Sequence, residues 1–199
     1  MSRRYTGVVT QSTRRKPVSP ELRFDAGTVW LNLLATVGSA YSEGRVERLR
    51  GVEELRRFLA HHELTPVAPP TEDDVVAARE LRETLRPLTL ATLGGEPAGD
   101  VAPLQAWLDA DLPLRATTHD GVLAAAPPPT ARAALGRIAR QALEQLSGPE
   151  REHLGACAAP DCRMVFLDRA GRRRWCAPEL CGVLTRVRAH RARARAASP

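Results

Sequence analysis

Residues 157–182 read CAAPDCRMVFLDRAGRRRWCAPELCG, and they hold all four cysteines of the 199-residue chain. Cys157 and Cys162 are separated by four residues, as are Cys176 and Cys181, and thirteen residues lie between the pairs. In a reducing compartment, clustered pairs of thiols favour a metal over disulfides. Each short loop can turn two thiolates toward one ion, and two such loops close a tetrahedron around zinc. Four thiolates leave no coordination position for water. Cys157, Cys162, Cys176 and Cys181 are therefore expected to hold a structural zinc and not a catalytic one; the alternative is four unrelated buried thiols. The ion also supplies what the segment lacks. About 45 residues with few large apolar side chains cannot build an adequate core, and metal binding can provide the missing folding free energy. Between the cysteine pairs, 164–167 and 172–175 are expected as two strands of a hairpin turning at Ala170-Gly171. Trp175 would cover the metal site, and Asp168 would brace the arginine-rich hairpin through a charge-assisted bond.

Downstream, residues 183–197 are rich in Ala and Arg and predict a helix. Arg186, His190 and Arg193 fall on one face, and Arg188, Arg191 and Arg195 on another; Val183, Leu184 and Val187 could pack on the metal module. Guanidiniums crowded on one helix repel each other unless a polyanion neutralises them, and phosphates match their fork geometry. Together with Arg172, Arg173 and Arg174 these residues form a candidate nucleic-acid-binding patch, whose affinity would fall steeply with salt. The plainer reading is a solvated basic tail. The charge map supports the first. The chain carries +6 overall, divided into +5 over residues 1–23, −6 over 24–156 and +7 over 157–199. Basic ends around an acidic middle suggest that only the ends meet a polyanion.

Upstream, residues 1–23 lack apolar periodicity and read as a flexible basic arm. Residues 24–148 read as a mostly helical domain. Val29, Leu33 and Val37 stand at helical spacing, and Val52, Leu55, Phe58 and Leu59 form one face of a short amphipathic helix. His61 and His62 end that helix, where its dipole favours a cation. Thr71 is placed to cap a helix whose first turn holds Glu72, Asp73 and Asp74 and whose buried face is Ala77, Leu81, Leu85 and Leu88, with a kink at Pro87. A short helix is expected over 103–109. Residues 112–118 and 122–126 predict a hairpin turned by Asp120-Gly121. Thr130 then caps a long helix with Leu135, Ile138, Ala142 and Leu146 in a stripe. Residues 149–199 form a separate module. The fold class is mainly α: a helical domain with a small β-hairpin, then a four-cysteine module of β-hairpin plus basic helix.

The composition, 43 % hydrophobic and 26 % charged, suits a globular protein. No apolar run approaches the roughly 18 residues of a membrane span, and none follows the Arg3-Arg4 and Arg14-Arg15 pairs as a secretory leader requires, so a cytoplasmic location and no membrane partner are expected. No GxSxG, glycine-rich phosphate loop or HExxH occurs, and no enzyme activity is expected.

The stretch C-A-A-P-D-C, V-F-L-D-R, R-R-W-C and C-G, with the later His190 and Arg191, resembles the zinc finger of the CGNR family. The segments around Leu31-Asn32-Leu33, Val52 to Leu59 and Ala78 to Arg82 resemble the ABATE domain that usually precedes that finger. The resemblance implies a stress-responsive bacterial transcription regulator that binds duplex DNA, with residues 24–148 sensing an effector or forming a homodimer and residues 149–199 docking on DNA. One departure stands out: where the family name spells Cys-Gly-Asn-Arg, this chain has Cys181-Gly182-Val183-Leu184. Apolar residues there leave room for a different reading, a zinc-stabilised module that binds an acidic protein partner. A third reading is small-molecule binding in the helical domain, with Trp30, Trp107 and Phe58 lining a pocket.

Overall fold

The computed structural model describes residues 19–41 and 43–196. Most of the basic arm expected over 1–23, and the last residue of the expected C-terminal helix, lie outside the described residues. Six α-helices, two short helical turns (Pro149–His153 and Pro178–Gly182) and three two-stranded antiparallel ribbons make up the regular structure of the described residues: α1 (Val29–Leu34), β1 (Val37–Gly38), β2 (Val46–Glu47), α2 (Val52–His61), α3 (Glu72–Gly94), α4 (Ala102–Leu108), β3 (Ala116–His119), β4 (Val122–Ala125), α5 (Ala131–Ser147), β5 (Leu154–Ala156), β6 (Val165–Leu167) and α6 (Val183–Ala196). Among the described residues no helix is long and apolar enough to cross a membrane.

Local chemistry explains where the longer helices begin and end. Thr71 accepts a hydrogen bond from the Asp74 amide while the Asp74 carboxylate accepts one from the Thr71 amide, a reciprocal capping box that satisfies two otherwise unpaired donors. α3 runs on through Pro87 and ends where Gly95 takes a left-handed φ of 68°. Thr130 caps α5 by accepting from the Ala133 amide. The β3–β4 turn places both Asp120 (φ 50°) and Gly121 (φ 77°) in the left-handed region, which matches the twist a two-residue hairpin needs.

Helix α1 packs on α3 and α5. It stops at Leu34, so Val37 is not on it: Val37 pairs with Glu47 as a strand, correcting the helical spacing expected for Val29, Leu33 and Val37. Trp30, Leu31, Leu33 and Leu34 share one buried cluster with Leu55, Phe58 and Leu59 of α2, Leu81 and Leu85 of α3, and Leu135 and Ile138 of α5. Arg82 is 1 % exposed; it donates to Thr36 Oγ1 at 2.9 Å and pairs with Glu47 at 2.8 Å, tying α3 to β2. The two segments expected as separate modules share this core, because Leu154, Val165 and Phe166 of the β5–β6 ribbon join the same cluster. The Leu167 amide donates to the Ala26 carbonyl at 2.8 Å, and a Cβ on Gly27 would lie 2.7 Å from Leu167 Cβ.

Trp30, Phe58 and Trp107 belong to the buried core. Trp30 and Phe58 are fully buried, the Trp30 indole N–H donates to Gln145 Oε1, and Trp107 lies under the Arg132 guanidinium, 3.6 Å from ring centre to carbon. Large aromatics here fill the space between helices, where burial of each contributes on the order of 2–3 kcal/mol.

His62, at the end of α2, differs from expectation. Phe24 stacks on His61, with centroids 3.8 Å apart, and its edge meets His62. Asn32 accepts from the Ala26 amide through Oδ1, which turns its Nδ2 toward His62 Nε2 at 3.4 Å. That donor needs a neutral ring. Burial, with the charge of His61 adding to it, pushes the His62 pKa down to about 4.

Two outcomes follow from this packing. A Cβ on Gly136 of α5 would stand 2.5 Å from the Asp111 amide nitrogen, a backbone atom with no room to move. Gly136→Ala should therefore lower stability by about 1–3 kcal/mol in denaturant titrations. Because unfolded His62 binds a proton near its ordinary value of 6.5 and folded His62 only near 4, stability should fall as pH drops through that window. His62→Gln should flatten the decline, measured as melting temperature against pH.

Candidate metal centre

Short backbone turns bring the four cysteines together. Cys157 continues the β5–β6 ladder, its amide donating to the Met164 carbonyl at 2.8 Å. The Cys162 and Arg163 amides both reach the Ala159 carbonyl, at 2.9 and 3.1 Å, which closes the first knuckle. Arg163 sits at φ 44° to make that turn. Cys176 follows the arginine run, and the Ala158 amide, bonded to the Arg174 carbonyl at 3.1 Å, ties the two knuckles together. Cys181 lies in a single wide helical turn, Pro178–Gly182, that leads directly into α6.

The strand partners differ from those expected. Val165–Leu167 is a strand, but its partner is Leu154–Ala156, ahead of the first cysteine, and residues 172–175 form no strand. The ribbon chosen carries Leu154, Val165 and Phe166 into the core, which the exposed arginines at 172 and 174 could not do. Asp168 does brace this segment, through the Arg173 backbone amide at 2.5 Å. Trp175 is half-buried, and its ring would lie 3.1 Å from a Cβ on Gly182, so it covers the turn that carries Cys181.

All four sulfurs lie within 4.8 Å of one another; Cys162 is 3.6 Å and Cys181 is 3.5 Å from Cys176. A zinc ion at about 2.3 Å from each of four sulfurs sets them about 3.8 Å apart, so the donor set has the size and chemistry of a zinc tetrathiolate. Three of the four are buried, and none is in a disulfide. A divalent ion among four thiols draws them to the thiolate form that coordination requires. Once four thiolates are bound the coordination shell is closed, and the ion's role is structural.

Positive side chains surround the sulfurs. Arg23 Nη1 is 3.6 Å from Cys176 Sγ, and its Nη2 donates to the Cys176 carbonyl at 3.0 Å. Arg173 Nη2 donates to that same carbonyl at 2.8 Å, its Nη1 to the Asp25 carbonyl at 3.0 Å, and its guanidinium lies over the Phe166 ring. Arg48 is 3 % exposed and donates to the Ser19 and Ala35 carbonyls. Burial, then the charge of Arg23, lowers its pKa from the ordinary guanidinium value, while Cys162, Cys176 and Glu47 pull the other way. A cavity of about 320 Å³ opens beside the sulfurs, between the helical segment and the finger, with Arg23, Arg48, Val37, Val46, Met164 and Leu184 among its walls.

The expected nucleic-acid residues divide into two groups. Arg172, Arg174, Arg186, His190, Arg191, Arg193 and Arg195 are exposed. Arg173 is held in the finger by the contacts just given, and Arg188 pairs with Asp161 at 2.5 Å. Val183 and Val187 do not pack on the finger: each is 41 % exposed, and it is Leu184 that faces the cavity. The helix enters from the Cys181 turn with the Leu184 side inward, which leaves the valines outside. Sequence reasoning missed Arg23 and Arg48 as neighbours of the sulfurs. Arg23 read as one more charge of a basic arm and Arg48 as part of a polar stretch; their partners lie 153 residues away in one case and across the fold in the other.

Replacing Cys176, which touches two other sulfurs and anchors two arginines, should abolish metal retention. Cys176→Ser should lower zinc from one ion per chain to well under half, measured by mass spectrometry of metals after dialysis. Its melting temperature should fall, as should that of wild type treated with chelator.

Comparison with known proteins agrees with this geometry. Residues 27–149 match the ABATE family, described as "Putative stress-induced transcription regulator", and residues 153–194 match the CGNR zinc finger. No curated protein matches the chain. Neither family is an enzyme type. With more than half of its length matched by the first and its four-cysteine cluster inside the second, the chain belongs to the ABATE family and ends in a CGNR zinc finger built on a structural zinc.

Proposed function

We propose that this protein is a cytoplasmic transcription regulator that binds duplex DNA through α6 and the adjoining finger. In this reading Cys157, Cys162, Cys176 and Cys181 are the zinc ligands. Residues 24–148 sense an effector or pair two copies, residues 149–199 dock on DNA, and the basic residues within 1–23 add to the attraction. The observation that carries it is α6 itself. The helix holds five arginines and His190 with no carboxylate, and its first turn is tied to the metal centre, since Thr185 Oγ1 donates to the Cys181 carbonyl at 2.9 Å. Zinc therefore fixes the direction in which a mostly exposed row of guanidiniums leaves the body. Such a row suits phosphates, which supply affinity with little sequence discrimination. Arg172, Arg174, Arg186, Arg191, Arg193 and Arg195 would make those contacts with His190, whereas Arg173 and Arg188 would mainly hold the finger's shape.

Val183 and Val187, one turn apart and both exposed, favour a second reading in which α6 docks on an acidic protein partner. Self-association is supported by the β3–β4 ribbon, where Val122 and Leu123 are 68 % and 78 % exposed. Leu123→Glu should then shift a dimer toward monomer in light scattering.

Fluorescence anisotropy with a short duplex over a range of salt concentrations tests the main reading. The zinc-loaded protein should bind, with log K falling linearly against log salt. Replacing Arg186, Arg193 and Arg195 by Gln should make that slope shallower by up to roughly 0.9 per lost phosphate contact. A zinc-loaded protein that binds no duplex at low salt would sink the DNA reading and leave the protein-partner one.

A further inference from the structure

The sulfur cluster carries a charge that the finger alone does not balance. Four thiolates around one divalent zinc leave a net charge of two minus. Three of the four cysteines are buried, and a dianion in that setting is costly unless cations stand beside it. The finger contributes Arg173, but Asp25 lies 3.6 Å from that guanidinium and 2.6 Å from Arg23. Two further cations come from the other segment of the chain. Arg23 meets Cys176 through both its sulfur and its carbonyl. Arg48, buried and donating only to carbonyls among its described hydrogen bonds, forms no ion pair with a carboxylate among the described residues, yet it shares the cavity wall with Cys162, Cys176 and Cys181. Counted together, Arg23, Arg48 and Arg173 balance Asp25 and the dianion. Arg188 and Asp161, also in that wall, cancel each other.

We propose that Arg23 and Arg48 are the counter-cations of the zinc tetrathiolate, so that metal loading adds to the apolar contacts that hold the finger against the helical segment. The proposal rests on the zinc centre and is independent of DNA binding. Without the ion there is no metal–thiolate cluster for these cations to face, and Arg48 remains a buried cation whose described hydrogen bonds go only to carbonyls. The contact between segments then loses its electrostatic reason, while the apolar contacts of Phe166 and Leu167 remain. Zinc binding and docking become two readings of one equilibrium, as linkage requires.

The test uses the full chain. Zinc per chain is measured first, then the rate of transfer to 4-(2-pyridylazo)resorcinol, and hydrogen exchange at the Leu167 and Tyr41 amides, whose acceptors, Ala26 and Asp161, lie in the opposite segment. Arg23→Met should keep its zinc but surrender it about 10-fold or more faster, within the range seen when residues supporting metal ligands are removed. Its Leu167 and Tyr41 amides should exchange faster, as should those of metal-free wild type. Arg23→Lys should restore part of both effects because it returns the charge without the fork. Arg56→Met, which removes an exposed arginine paired with Glu53, should change neither. Arg48→Met should act like Arg23→Met; if it does not fold, the half-buried Arg23 decides the matter. Wild-type transfer rates and unchanged exchange in Arg23→Met would overturn the proposal while leaving the zinc centre intact. Absence of zinc from the wild-type protein would overturn the metal centre itself, and this proposal with it.

Discussion

Four sulfur atoms within 4.8 Å of one another, most of them buried, impose a demand that the surrounding chain has to meet. Thiolates so close repel strongly unless a cation sits among them, and the closed tetrahedral donor set answers that with zinc. The shape of the finger depends on this. Its own regular structure is a three-residue ribbon and one helix, and the arginine run between the knuckles contributes no strand. What holds residues 157–182 in place is the convergence of two turns on one point, supplemented by Leu154, Val165 and Phe166 where the ribbon enters the core of the helical segment.

That shared core changes how the two family segments relate. Ala26 and Gly27 receive Leu167 as if it were part of their own fold, with a backbone hydrogen bond and a contact that only glycine permits. The metal centre thus lies at a junction, flanked by arginines from both sides. Arg23, in the chain ahead of α1, meets Cys176, and Cys181 lies in the turn that leads into α6.

Arginine does opposite work in different places along this chain. On the outer sides of α6 the guanidiniums stand in water with no carboxylate in their helix, which suits a polyanion. Near the sulfurs, Arg23, Arg48 and Arg173 are largely withdrawn from solvent and tied to carbonyls, to Asp25 and to the cluster. Arg82 is buried in yet another role, bridging α3 to β2. Net charge alone cannot separate these roles, because the same residue type appears in all of them.

Much was legible in the sequence. The C-x4-C pairs showed the metal centre because ligand spacing along a short loop is a local property. The Thr71 and Thr130 caps, the Asp120-Gly121 turn and the apolar faces of α2, α3 and α5 were legible for the same reason: each is decided by neighbours within a few residues. The register of the finger ribbon was not, since strand pairing depends on which residues the rest of the fold can bury, and Leu154 won over Arg172–Trp175 on that ground. Nor could the sequence show that Val183 and Val187 are exposed, that burial and the charge of His61 lower the His62 pKa, or that Arg23 and Arg48 share a cavity wall with cysteines far along the chain. Those facts concern charge and burial between distant segments, and they come into being only when the chain has folded and set its own dielectric.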